Sequence, residues 1–327
     1  MNAPATNSVE ELFAGELRAL VDRSVVAHVA TLDRAGRPVT WPMTPYLDER
    51  GTALEVSTGV TYPSKAERAR RDPRTCLVIG GGDAPLVRVT ALATVHDRDL
   101  QRNTDRFIRQ ATLKTGAGWN RLPRRIVSAQ AWHWVRIYIT LTPVCVEWWP
   151  DGRMDGPARS WWAPTMTAPA SDPPPTGSSP GGWQRRPGPW RQRAEYAATQ
   201  LGNPMLTVVG PNGFPRIIAA TVAGIDPGGV RLSVPDLAST DAGPACLTFD
   251  RVHGDGEFLG QENAAFTGAF SPDGARFDVE RLLPDFSLPA RGLAKHWAFV
   301  SARRRLNSRL ASECARRGQP VPQIRLP

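Results

Sequence analysis

The segment Val56-Ser57-Thr58-Gly59-Val60-Thr61-Tyr62-Pro63-Ser64-Lys65-Ala66-Glu67-Arg68 carries the densest set of reactive and donor groups in the chain. Ser64 and Glu67 stand at the S-x-x-E spacing of a capping box, which predicts a helix opening at Ser64. The first turn of a helix presents N–H groups with no partner inside the helix, together with the positive end of its dipole. That combination suits a phosphate. Lys65 adds a full positive charge, and Thr58, Thr61, Tyr62 and Ser64 add hydroxyl donors. Gly59 lets the backbone turn closely. A capping box by itself only starts a helix, so the residues leave two readings open, a plain cap or an anion site.

Other candidate groups are more scattered. Of the five histidines, His28 on the first strand and His133 before the closing strand could ligate a haem, set against an ordinary structural role. No H-E-x-x-H or Walker loop is present. Gly80-Gly81-Gly82 runs into Asp83-Ala84-Pro85, which reads as a hairpin loop and not as a nucleotide fingerprint. Arg102, Arg106, Arg109 and Lys114 fall near one face of a polar helix, as a solvated face or as an attractor for an acidic cofactor tail. Cys76, Cys145, Cys246 and Cys314 lie far apart without a CxxC pair, as expected of buried small hydrophobes in a reducing compartment. No metal site is expected.

These groups need elements to hold them. An amphipathic helix is expected over Val9 to Asp22, then strands over Val25 to Leu32, Pro38 to Leu47 and Ala53 to Thr58. Asp33-Arg34-Ala35-Gly36 and Asp48 to Gly51 read as turns. A short helix over Ser64 to Arg71 precedes strands over Thr75 to Ile79 and Leu86 to Val95. A polar helix over Asp97 to Lys114 and a long closing strand over Trp134 to Trp149 follow. Many short strands at close spacing indicate a barrel and not a doubly wound sheet.

Residues Asp151 to Arg193 change character, with Pro173-Pro174-Pro175, Ser178-Ser179-Pro180 and Gly181-Gly182, and read as an irregular linker. Trp161, Trp162, Trp183 and Trp190 are expected to pin it onto a domain. The first pattern then returns. A helix over Ala194 to Leu201 precedes strands over Met205 to Val209, Pro215 to Ala223 and Val230 to Val234. Gly36-Arg37-Pro38 matches Gly213-Phe214-Pro215, and Pro73-Arg74-Thr75-Cys76-Leu77 echoes Pro244-Ala245-Cys246-Leu247. Several matches in one order suggest duplication. The second copy lacks the segment equivalent to Ser64 to Arg71. A basic helix over Arg291 to Arg317 closes the chain. The expected units are 1–150, the linker 151–193, a degenerate repeat 194–290, and the helix and tail 291–327.

The chain has 327 residues, 41% hydrophobic and 22% charged, enough for two domains with real cores. Its net charge of +9 permits an anionic cofactor, a nucleic acid or an anionic membrane as partner. No aromatic-plus-basic RNA-binding signature appears, so nucleic acid is not expected. The longest uncharged apolar run, Ile137 to Val146, is far short of a membrane span. The first ten residues show no basic and apolar regions of a signal peptide, so a cytoplasmic location is expected.

The order of strand, D-x-x-G turn, Pro-containing strand, V-S-T-G loop and Ser64-Lys65-Ala66-Glu67-Arg68-Ala69-Arg70-Arg71-Asp72-Pro73-Arg74 resembles the pyridoxamine-phosphate-oxidase-like FMN-binding split-barrel family. Leu141 to Trp149 resembles that family's closing strand. The resemblance covers Val25 to Trp149 well and Met205 to Ser271 weakly. It implies a mainly β fold with flanking helices, two tandem split β-barrels forming a pseudo-dimer. It also implies a flavin-dependent oxidoreductase with FMN at the interface of the repeats, transferring hydride to or from a small organic substrate. An F420-dependent reductase is the alternative, and a non-catalytic haem- or flavin-binding protein the alternative of another class. By resemblance Ser64 and Lys65 would hold the phosphate, with Thr58 and Tyr62, and Ser57 and Thr61 would complete the loop. Thr40, Trp41, Pro42 and Met43 would run beside the ring, with Arg88 nearby. The ring would carry the redox chemistry, and no dedicated acid or base is named. Loss of the second anchor implies one cofactor per chain, in a pseudo-dimeric monomer or a homodimer.

Overall fold

The computed structural model describes residues 15–115, 124–180, 188–235, 242–252, 261–284 and 293–326. Short polar turns set the first hairpins. The Asp33 carboxylate accepts the backbone N–H groups of Ala35 (2.8 Å) and Arg37 (3.0 Å), and Asp48 accepts those of Thr52 (2.6 Å) and Ala53 (2.9 Å). Side chains of this kind mimic a backbone turn and fix the register of the strands on either side. The strands so joined are β1 (Ala27–Leu32), β2 (Pro38–Met43), β3 (Pro45–Leu47) and β4 (Leu54–Gly59).

Helix α1 (Glu16–Arg23) precedes them, and α2 (Ser64–Arg71) follows β4. Then come β5 (Arg74–Gly81), β6 (Ala84–His96), α3 (Leu100–Thr115), α4 (Arg124–Ser128), α5 (Ala131–Trp134) and the long β7 (Arg136–Trp149). The first sheet is antiparallel in the order β2-β1-β5-β6-β7-β4-β3. β2 and β3 lie at its opposite edges yet are separated only by Thr44, so the chain itself closes the curled sheet at one corner. This is why the expected single strand over Pro38 to Leu47 is two.

The second half repeats the plan: α6 (Trp190–Gln200), β9 (Met205–Val209), β10 (Pro215–Ala219), β11 (Thr221–Ile225), β12 (Gly229–Ser233), β13 (Gly243–Val252), β14 (Gln261–Ser271) and β15 (Arg276–Leu282). Its order, β10-β9-β13-β14-β15-β12-β11, is the first order shifted by eight. Ala220 stands where Thr44 stood, between the two edge strands. The chain therefore holds two curled antiparallel sheets with flanking helices, the architecture of two tandem split barrels. The connection carrying α2 in the first repeat has residues 234–242 as its counterpart, of which 236–241 lie outside the described residues. The excursion through α3 to α5 is replaced by the turn Pro272–Gly274.

Strand alternation divides the two cores. On β1, β2 and β5, Ala27, Val29, Val39, Trp41, Met43, Leu77 and Ile79 point into the first barrel, joined by Leu17 and Leu20 of α1 and Ala66 and Ala69 of α2. Ala30, Cys76 and Val78 point the other way and complete the core of the second repeat, beside Leu206, Ile217, Phe249, Phe266, Phe270 and Phe277. Each buried phenylalanine there contributes about 1.5–3 kcal/mol. The seam is reciprocal. The Thr40 N–H donates to Cys246 Sγ (3.4 Å), and the Ile217 N–H donates to the Cys76 thiol. Thr40 and Ile217 hold equivalent places on β2 and β10, as do Cys76 and Cys246 on β5 and β13. Such an exchange is the mark of a two-fold contact.

Residues 150–180 begin against the second core, where Met154 is buried, and then run over the first repeat. β8 (Arg159–Trp162) pairs with β7, so part of the segment expected to be irregular is a strand. Trp161 packs on the first core and Trp190 on the second, whereas Trp162 is exposed. Trp183 lies outside the described residues. The C-terminal helix α7 (Leu293–Arg316) sends Leu310 and Cys314 into the first core. The first-helix expectation over Val9 to Asp22 falls partly outside the described residues, and its described part is α1.

Candidate functional site at the tip of helix α2

Helix α2 opens at Ser64, as the spacing predicts, but the capping box does not form. The N-cap position belongs to Pro63, no side chain caps the helix, and Ser64 is exposed. Glu67 turns instead to Arg70 (3.4 Å) and to Arg317 (3.2 Å), since guanidinium partners attract a carboxylate more strongly than a neutral N–H does. The first turn of α2 is thus left without a side-chain acceptor.

The loop before it is tightly wound. The Tyr62 N–H reaches Gly59 O (2.8 Å), and the Thr58 hydroxyl donates to Tyr62 O (3.1 Å). A Cβ at Gly59 would lie 3.2 Å from the Tyr62 ring, so a larger residue there would push that ring aside. Thr61 is wholly buried, its side chain against the Tyr62 phenol. Its carbonyl accepts Arg309 Nε from α7 (2.7 Å).

Cations gather around this loop. The Lys65 ammonium lies 5.2 Å from the centre of the Trp41 ring. Burial, then the charges of Arg68 and Arg136, lower its pKa to about 7. Arg68 donates Nε to the Thr31 hydroxyl (2.9 Å), while its Nη2 is buried without a hydrogen bond. Arg136 stacks on Phe107 at 4.2 Å, and burial lowers its pKa to about 10. The Tyr62 phenol is pushed up by burial, opposed by Arg136, by a hydrogen bond with the Thr61 side chain and by Arg309. A buried threonine hydroxyl, an orphan guanidinium nitrogen and an uncapped helix tip among cations form a donor set that fits a phosphate.

The other expected site residues divide into three groups. Thr40 and Arg88 belong to the seam between the repeats. The Thr40 and Thr207 hydroxyls are 2.6 Å apart, and Arg88 holds Glu147 through two bonds of 2.7 Å and donates to Ile217 O (3.3 Å). Trp41 and Met43 point into the first barrel. Pro42, Ser57, Tyr62 and Lys65 are half-buried and retain accessible surface.

His28 bonds Asp250 across the seam at 2.5 Å, and His133 is edge-packed among Phe107, Trp132 and Trp134. Arg102 and Arg106 pair with Glu49 and Glu55, and Lys114 donates to Val21 O, so that basic face is engaged locally. The Gly80 to Gly82 run is a hairpin, with positive φ at all three glycines. The reading of the sequence did not select Arg68, Arg136 and Arg309. Arg68 lies inside the motif itself. Arg136 follows Trp132-His133-Trp134, and Arg309 lies in the basic helix, with nothing in local spacing to tie either to the loop.

A groove of about 410 Å³ lies elsewhere, between Arg70, Pro73, Leu92, Ala93 and residues 168–174. Arg70 is bound there to Asp172 O and Pro173 O. Among the described residues no helix is long and apolar enough to cross a membrane.

No family model matches the sequence, and no curated protein matches it. Solved structures do. An F420 reductase is 18% identical, covering 39% of this chain and 94% of its own, with a TM-score of 0.31. A Clostridium acetobutylicum protein related to general stress protein 26, of the pyridoxinephosphate oxidase family, is 15% identical over 47% of this chain and 95% of its own, TM-score 0.33. General stress protein 26 of Bacillus anthracis is 12% identical over 41% and 90%, TM-score 0.29. The identities and scores are low, and the fold assignment rests on the two matching strand orders.

Proposed function

We propose that the chain is a flavin- or deazaflavin-dependent oxidoreductase that binds the phosphate of one FMN, or alternatively F420, at the tip of α2. The observation that carries this reading is an uncapped helix start beside the buried Thr61 hydroxyl and the buried Arg68 Nη2, which makes no hydrogen bond, with Lys65 and Arg136 around them. Lys65 and Arg68 would neutralise the phosphate, and Thr61 and Ser64 would donate to it. Pro42, Ser57 and Tyr62, with surface to offer, would flank the ring. When bound, the ring supplies hydride-transfer chemistry to a small organic substrate, and the protein supplies orientation and charge.

The seam at Thr40 and Arg88 is filled by hydrogen bonds, so the reading sets the pocket at the α2 end of the first repeat. In it, residues 1–150 bear the cofactor, 151–193 connect, 194–290 buttress β1, β2 and β5, and 291–327 form the C-terminal helix and tail. The test is an absorption spectrum and mass spectrum of the small molecule that copurifies, with titration of the stripped protein by FMN and by F420. A flavin or deazaflavin bound in one-to-one ratio, and bound more weakly by Lys65→Ala, is the expected result. A colourless protein that neither cofactor binds would overturn the proposal.

A further inference from the structure

Residues outside both repeats hold the loop that precedes α2. Arg309 of α7 uses each guanidinium nitrogen: Nε donates to Thr61 O (2.7 Å), Nη1 to Pro180 O and Nη2 to the Ser179 hydroxyl (3.2 Å). One turn later Glu313, wholly buried, accepts Ser179 Oγ, Arg316 Nη1 (2.7 Å) and Arg317 Nη1 (2.8 Å). Arg317 then reaches Asp97 Oδ2 (2.8 Å) and Glu67 Oε1 (3.2 Å), the latter in the first turn of α2. Arg70 closes the network on Asp97 (2.8 Å). The C-terminal segment therefore grips the chain on both sides of Lys65, at Thr61 and at Glu67.

We propose that α7, not the second repeat, supplies the outer wall of the cofactor pocket, with Arg309 as a positioning residue for the Thr61–Lys65 loop. This rests on the cofactor reading given above. Arg309 orders the Thr61 carbonyl, and with it the adjacent hydroxyl and the helix tip. Its planar fork meets three acceptors at once, which a lysine cannot do. A displaced loop loses several phosphate donors together, because small misplacements of a binding group are costly.

The test uses full-length Arg309→Ala and Arg309→Lys. Affinities for FMN and F420 are measured by fluorescence titration, and hydrogen exchange of residues 59–72 is measured without cofactor. Arg309→Ala should weaken the bound cofactor about tenfold, the worth of one hydrogen bond to a charged group. Exchange should rise at residues 59–66 with the thermal midpoint little changed, and Arg309→Lys should recover part of both. If Arg309→Ala does not fold, Arg309→Gln takes its place with the same expectations. Wild-type protein that binds neither cofactor overturns the functional reading and this wall with it. Wild-type binding, with affinity and loop exchange unaltered in the variant, overturns the wall alone.

Discussion

The two repeats share one strand order and differ in what hangs from it. In the first, the β4–β5 and β6–β7 connections carry α2 and the α3 to α5 excursion, and buried charges lie beneath them: Asp97, Arg317 and Glu313 are each at most 3% exposed. In the second, β14 passes to β15 through a single 3-10 turn, and the Arg276–Asp226 ion pair is 33–34% exposed. Arg88 on β6 has Ala265 as its counterpart on β14. The two sheets thus share their order, which hydrophobic alternation and hairpin turns maintain. Among the described residues, this buried charge network lies on the first copy, and the second copy covers the outward faces of β1, β2 and β5.

The largest effect that can break this contrast is on stability. Arg317→Ala takes one of the arginine partners from each of Asp97, Glu67 and Glu313, with Asp97 and Glu313 buried, and should lower the unfolding free energy by up to about 3–5 kcal/mol, read by urea denaturation. Arg276→Ala, in the second repeat, should cost far less, because its pairs with Asp226 and Asp278 remain partly exposed to solvent. Equal losses from the two would mean that the charge asymmetry of the repeats has no energetic content.

Much of this contrast was legible in the sequence, and the unread part has a physical reason. The hairpins were readable because Asp33, Asp48 and Asp226 bond to backbone within their own turns. The start of α2 at Ser64 falls where the spacing put it, although the capping box that predicted it does not form. The break at Thr44 was not readable, since apolar alternation runs on through Pro38 to Leu47 and only the closing of the sheet interrupts it. Nor was the fate of Glu67, whose partner Arg317 lies 250 residues away. Arg136 and Arg309 reach the loop through packing that no spacing encodes.

Next in size is the anchor. Lys65→Ala should weaken FMN or F420 binding roughly 10- to 100-fold, the worth of a hydrogen bond to a charged group. Flavin or deazaflavin fluorescence reports it. A fall below threefold would remove Lys65 from the site.

A smaller effect follows from pH. The Lys65 pKa falls from an ordinary 10.5 to about 7 in the folded chain, through burial and the neighbouring Arg68 and Arg136. Between those values the unfolded chain binds the proton and the folded chain does not, so this group's contribution to cofactor-free stability rises with pH across that window. Binding of an anion runs the other way. It favours the ammonium, so affinity should fall as pH rises above about 7, by at most roughly tenfold per unit. Calorimetry at pH 8 in buffers of different ionisation enthalpy should show proton uptake on binding. Lys65→Arg, which stays charged, should abolish that uptake. Uptake that persists in Lys65→Arg would assign the proton to another group.

The smallest effect tests the seam itself. The Thr40 and Thr207 hydroxyls face each other at 2.6 Å, both residues wholly buried, one from each repeat. Thr40→Val or Thr207→Val alone should cost about 1 kcal/mol, the net worth of a typical hydrogen bond. Valine has nearly the shape of threonine, so the double variant replaces both partners with apolar groups and should return close to wild-type stability. A positive coupling in that double-mutant cycle requires the two hydroxyls to meet in solution, and hence the two sheets to dock through β2 and β9. Strictly additive losses would mean that they do not touch. The outward faces of β1, β2 and β5 would then lack the cover that makes the second repeat a buttress.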